Sequence, residues 1–211
     1  MKKTLLGSLI LLAFAGNVQA AHNGGDDPET AGRVTFFGKV VENTCKVKTK
    51  NRDMSVVLHD VGKNSLSTEG NTAMPTPFTI TLQNCQGATQ SDKHAKKVGL
   101  YFYSWENADK DKNYTLKNME GTDKATNVNI QLMEEDGTTS IKVVGKDTED
   151  FTYPKNGVAL DQNAIVNPTS GSVTLNSDAD IPLHFIAQYY ATGKATAGKV
   201  QTSVNFEIAY E

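Results

Sequence analysis

Along this chain, apolar residues return at every second position in short runs divided by turn residues. The clearest run is the last: Val204, Phe206, Ile208 and Tyr210 alternate with polar or small residues, so they share one face of a β-strand. The run 34–41 has the same alternation and precedes the first cysteine. Phe78, Ile80 and Leu82 share a face, as do Val128, Ile130 and Leu132. Helical periodicity is almost absent after residue 20. The pattern predicts strands near 34–41, 44–47, 56–60, 78–84, 98–105, 127–133, 141–144, 172–175, 181–190 and 200–210. Glu135-Asp136-Gly137 and Lys155-Asn156-Gly157 are turn sequences. Short strands with regular turns predict an all-β sandwich.

A strong strand near each end changes the picture. The last one stops one residue before the end, and so offers an edge for pairing. A chain built this way can be a link in a fibre. Ahead of both strands, residues 1–20 read as a signal peptide. Lys2 and Lys3 are the positive start, 5–15 the apolar core, and Val18-Gln19-Ala20 a small-residue cleavage site. That core is shorter than the roughly 20 apolar residues of a membrane span. The mature chain is therefore expected to be exported and soluble. It has about 190 residues, the size of one domain. Losing the two lysines takes the net charge from −3 to −5, which argues against a nucleic-acid surface. Cys45 and Cys85 are the two cysteines, and export favours one disulfide between them over two free thiols. Closing that loop is worth about 4 kcal/mol on the chain-entropy model. Residues 22–32 are polar and Gly-rich, a flexible leader. Charged loops are expected at 91–97 and 107–123, with a polar stretch at 147–171.

Candidate chemistry is sparse. His22 lies in the leader, His94 in a Lys-rich loop, and His59 and His184 in strand-like runs. The chain has neither a Gly-x-Ser-x-Gly elbow nor a His-Glu-x-x-His pair. Asp109, Asp111, Asn113 and Glu120 imitate the ends of a calcium loop. Tyr114, however, stands where that loop needs glycine, and Lys110, Lys112 and Lys117 add positive charge. It reads as a solvated surface loop. Asn113-Tyr114-Thr115 fits a glycosylation sequon. Tyr101, Tyr103 and Trp105 share one face of their strand, as a core or subunit contact or as a sugar platform.

These features meet in a family. The chain resembles chaperone–usher pilins, the class that builds type 1 pilus rods. The resemblance rests on Tyr210 as penultimate residue, Gly198 as the fourteenth from the end, and the alternating strand between them. It rests also on Asn43-Thr44-Cys45, Leu82-Gln83-Asn84-Cys85 and the turn Tyr190-Ala191-Thr192-Gly193. It implies an incomplete immunoglobulin-like β-sandwich, lacking its last strand and completed by donor-strand exchange. The expected organisation is a signal peptide at 1–20, an N-terminal extension with the donor strand at 21–43, and a pilin domain at 44–211. The donor face would be Val34, Phe36, Gly38 and Val40, with Gly38 where the groove is shallow. The receiving strand would carry Gly198, Val204, Phe206, Ile208 and Tyr210. Implied partners are neighbouring pilin subunits, a periplasmic chaperone, an outer-membrane usher and a host-cell receptor, with no nucleic acid, cofactor or metal. The implied function is the major structural subunit of an adhesive cell-surface fimbria. A tip or minor adhesin is the first alternative, but a two-domain adhesin needs a lectin domain that this length does not hold. A secreted sandwich enzyme is the second.

Overall fold

The computed structural model describes residues 40–42, 45–85, 94–148, 169–175 and 179–211, all within one compact unit. The run 34–39 and the turn at 155–157 lie outside the described residues. Among the described residues nine strands form: β1 (Lys46–Val47), β2 (Thr72–Gln83), β3 (Lys97–Tyr103), β4 (Ala108–Asp109), β5 (Thr115–Lys117), β6 (Val128–Glu134), β7 (Ser170–Thr174), β8 (Ile181–Ala191) and β9 (Asn205–Tyr210). Among the described residues the only helical pieces are 3₁₀ turns at Thr49–Asn51, Lys63–Leu66 and Lys110–Lys112. The strands make two antiparallel sheets, one of order β1-β2-β8-β6-β5-β4 and one of order β7-β3-β9.

Period-two alternation fills the space between the sheets. Ile80 and Leu82 of β2 face inward with Leu183 and Phe185 of β8, and the second sheet adds Val98, Leu100 and Phe102. Phe185 is the hub. It meets Phe102 edge-on at 5.2 Å and Phe78 at 5.6 Å, which adds specific geometry to burial. β2 starts at Thr72, well before the run that the alternation marks, because Pro75 and Pro77 interrupt its pattern. Both prolines are tolerated there. β1 pairs with β2 only at Leu82 and Gln83, and the β2–β8 register slips between Ala73 and Thr76, where Met74 has φ 53°.

Two expectations are corrected here. Residues 141–144 are not a strand. Ile141 N–H bonds to Leu132 of the larger sheet at 2.9 Å, and Val144 N–H to Phe102 of the smaller at 3.1 Å. The segment crosses from one sheet to the other, so it is buried but has no ladder. The charged loop at 107–123 contains β4, β5 and a 3₁₀ turn, and Thr115 and Leu116 are buried. These pieces are too short to show a period. Thr115 Oγ1 donates to the Lys112 carbonyl at 2.7 Å and accepts from Asn129 at 2.9 Å, so the folded sequon does not present its threonine.

The turn at 135–137 forms, with Gly137 at φ 66°. Asp136 Oδ1 accepts from the N–H groups of Thr138 and Thr139, both at 2.7 Å. These bonds and the Thr139 hydroxyl hold its carboxyl down to about 2. Glu134, at the end of β6, joins the two sheets by accepting from Gly171 N–H of β7 at 2.9 Å. Burial raises its pKa above the ordinary 4.5. A raised folded-state value favours the folded chain most below the ordinary pKa, and that advantage is lost as pH rises through the raised value. Glu134→Gln keeps an oxygen for Gly171 and removes the charge. The expected outcome is a smaller fall in thermal midpoint from pH 4.5 upward than in the parent, measured by thermal unfolding across pH.

Candidate functional site: an open groove beside the last strand

Among the described residues β9 lies at the edge of the smaller sheet and pairs only with β3. Lys97 and Glu211 exchange backbone hydrogen bonds at 2.9 and 3.0 Å. Antiparallel ladders alternate, so the odd-numbered residues of β9 bond toward β3. Just upstream the same side is used. The Gln201 carbonyl accepts from Met119 N–H at 2.9 Å, and the Ser203 carbonyl from Asn107 Nδ2 at 3.1 Å. The backbone groups of Thr202, Val204, Phe206 and Ile208 therefore project to the open side. The side chains of Val204, Phe206 and Ile208 pack on the core but stay half-buried.

The facing wall is the run after Asn51. Met54, Val56 and Leu58 are half-buried, while Ser55, Val57 and His59 are exposed. This is the period of a strand, yet the expected strand at 56–60 does not form, because no described segment lies close enough to pair with it. Between the walls is a groove of about 1050 Å³, floored by Phe78, Ile80, Leu116, Ile130 and Tyr189. Thr202 Oγ1, on its lining, is buried with no hydrogen-bond partner among the described residues.

Specific residues fix the ends of the groove. Asn51 is buried and imitates a strand toward β2: its Oδ1 accepts from Thr81 N–H at 3.1 Å and its Nδ2 donates to the Thr79 carbonyl at 3.0 Å. Past Asn51 the chain leaves the sheet and the groove opens. On the same side, Cys45 N–H donates to the Tyr210 hydroxyl at 2.7 Å, beside the Cys45–Cys85 disulfide. Gly198 lies against the backbone of 124–125. A Cβ there would stand 2.4 Å from Ala125 N and 2.5 Å from Lys124 C. Only glycine lets the last run lie on that backbone, where Ala125 N–H reaches the Lys199 carbonyl at 3.0 Å.

Gly198, Val204 and Phe206 line the groove, whereas Ile208 and Tyr210 follow on the same strand beyond that lining, with the Cys45–Cys85 bridge beside Tyr210. Val34, Phe36 and Gly38 lie outside the described residues, and Val40 is 97% exposed. Sequence reasoning missed Asn51, Thr202 and the role of Met54 and Leu58, although the alternation at 54, 56 and 58 was the available signal. The other candidates are dispersed. His184 bonds Thr79 on the outer face of β8, His94 meets Glu42 at 3.8 Å, and His59 is exposed. Tyr101, Tyr103 and Trp105 form a row on the outer face of the smaller sheet, where the Tyr103 hydroxyl donates to Glu207 at 3.1 Å. That bond and burial raise the phenol pKa of Tyr103.

Comparison with known proteins places this geometry. The family model described as fimbrial protein matches residues 34–211. The chain belongs to the fimbrial protein family. It is similar to a major fimbrial subunit of Haemophilus influenzae, 68% identical over 217 residues and covering 100% of both chains. It is also similar to the F17 fimbrial protein of Escherichia coli, 39% identical over 85% of this chain and 87% of that one. In three dimensions the fimbrial chain resembles the P pilus rod subunit PapA. The TM-score is 0.54 at 19% identity, over 79% of this chain and 99% of that chain. The likeness gives the fold, an immunoglobulin-like sandwich with an incomplete edge. The resemblance to chaperone–usher pilins is borne out.

Two substitutions probe the ends of the groove. Gly198→Ala forces a methyl into backbone and should destabilise the fold by about 1–3 kcal/mol, read as a lower urea midpoint. Tyr210→Phe keeps the ring and removes the acceptor for Cys45 N–H. The expected loss is about 1 kcal/mol, read as faster hydrogen exchange at that amide and a smaller drop in midpoint.

Proposed function

We propose that this chain is the major structural subunit of an adhesive cell-surface fimbria, polymerising head to tail by donor-strand exchange. The observation that carries the reading is the groove: two apolar walls of strand period facing each other, with backbone groups of the even-numbered residues 202–208 aimed into the gap. A single inserted strand satisfies both walls. The leader strand of the next subunit, with Val34, Phe36, Gly38 and Val40 on its inner face, has the right period. Seven strand residues span about 20 Å. Each buried Val or Phe contributes roughly 1.5–3 kcal/mol before ordering costs. The ladder sets register and direction.

On this reading residues 1–20 direct export, 21–43 form the donor extension, and 44–211 form the body. A strand given at one end and received at another makes a heterologous contact, which propagates as a filament instead of closing. An open apolar edge aggregates, so a periplasmic chaperone covers the groove until an outer-membrane usher exchanges it for the next leader. The fibre supports adherence to host cells.

A transplant tests this. Residues 27–42 are copied after Glu211 through a short flexible linker and the original leader is deleted, so that one chain fills its own groove. The expected product is a soluble monomer with a thermal midpoint well above that of the leader-deleted chain. Gly38→Leu in the copy should undo much of the gain. Light scattering and thermal unfolding decide. A leader-deleted chain already as stable and monomeric as the transplant overturns the reading.

A further inference from the structure

The chain just past the disulfide is basic. Lys46, Lys48, Lys50 and Arg52 fall within seven residues that hold no acid. Lys46, Lys50 and Arg52 are exposed. Lys48 pairs with Asp180, whereas Lys46 and Lys50 have no carboxylate partner among the described residues. The mature chain is acidic, so such a run is a local exception. It borders the groove. Arg52 lines the groove itself and, with Val47, a smaller adjoining cavity of about 320 Å³ shared with Tyr103, Val204, Phe206 and Glu207. Asp53 follows the run directly; of the other acids nearby, Glu207 is engaged by the Tyr103 hydroxyl, Glu42 by His94, and Glu211 by the Ser172 hydroxyl.

The complementary charge is in the chain's own leader. Between the expected cleavage point and Val34 lie Asp26, Asp27 and Glu29, against Arg33 as the one arginine or lysine. Both sheets are antiparallel throughout. A strand added antiparallel to β9 has its N-terminal end at Tyr210. Tyr210 touches Cys45, and Lys46 follows. Residues ahead of a seated Val34 therefore emerge at the start of the basic run. Glu29 precedes Val34 by five positions and Asp26 by eight, an extended reach of about 17–27 Å.

Resting on the donor-strand reading above, we propose that the basic run Lys46–Arg52 receives the acidic leader residues Asp26, Asp27 and Glu29 of the neighbouring copy, extending the subunit joint beyond the inserted strand. Single exposed ion pairs stabilise little. A cluster engaged by a tethered partner acts differently: it steers the incoming leader and works at high effective concentration once the strand begins to seat. The occupant is a second copy of this chain, because the opposite charge lies on the segment that seating delivers to that spot.

Charge reversal in the full chain tests it. Fibres assemble from chains carrying Lys46→Glu with Lys50→Glu, Asp26→Lys with Asp27→Lys, or all four changes. The readouts are the rate of polymer formation and its heat-resistant ladder, at low and high salt. Each pair alone should slow assembly about threefold to tenfold at low salt. All four together should restore much of the parental rate, and high salt should erase the differences. Lys46→Gln with Lys50→Gln, a milder change at exposed positions, should show a reduced loss and a flatter salt dependence. Parental rates in either single pair, or a quadruple variant no faster than the slower pair, overturn the proposal. Polymer that forms normally but ignores charge and salt sinks this proposal alone. Absence of polymer from the parental chain sinks the groove reading with it.

Discussion

Backbone hydrogen bonding along β9 governs the molecule. One side of this strand is satisfied by β3, and Met119 and Asn107 continue that side just upstream, while among the described residues no strand pairs with the other. Polar backbone groups that leave water must find partners, and here the missing partner is a whole strand. The opposite wall repeats the demand. Met54, Val56 and Leu58 hold strand period with no paired strand beside them among the described residues. A sandwich with this gap has most of its core but lacks the element that would close it. That explains why a large cavity lies between walls that are otherwise packed in the normal way.

The surrounding features keep the gap open and shaped. Asn51 substitutes its side chain for the strand neighbour that β2 loses, so the sheet ends cleanly where the groove begins. Gly198 lets the chain lie directly on the backbone of 124–125, which fixes one end of the receiving wall. Tyr210 and the disulfide fix the other end against Cys45. The extended edge is therefore a rigid template. Rigidity matters for strand addition, because a preordered edge lowers the entropy cost of seating a partner. The basic run after Cys45 begins at the same end.

Much of this was legible in the residues. Period-two alternation gave the strands around Phe78, Val98, Val128, Ile181 and Phe206, and the turn at Glu135–Gly137 was readable from its composition. The misses share a cause. Residues 141–144 look like a strand because they are apolar, but they cross between sheets. The loop at 107–123 looks like surface because it is charged, yet Thr115 and Leu116 are buried under it. Short pieces carry too few residues to show a period. Whether they pair depends on what the rest of the chain brings alongside.

By itself the sequence determined the all-β class, the inward faces of the long strands and the marks of the family at Gly198 and Tyr210. These are local properties, fixed by side-chain alternation and by residue identity at single positions. Only the tertiary structure decided that Met54–Leu58 has no strand paired to it among the described residues, that Asn51 ends the sheet and that the Tyr210 hydroxyl holds Cys45. Pairing is a relation between segments far apart in the chain. Alternation shows which face of a segment seeks burial, but a hydrogen-bonding edge is filled or empty according to which distant segment the fold sets beside it.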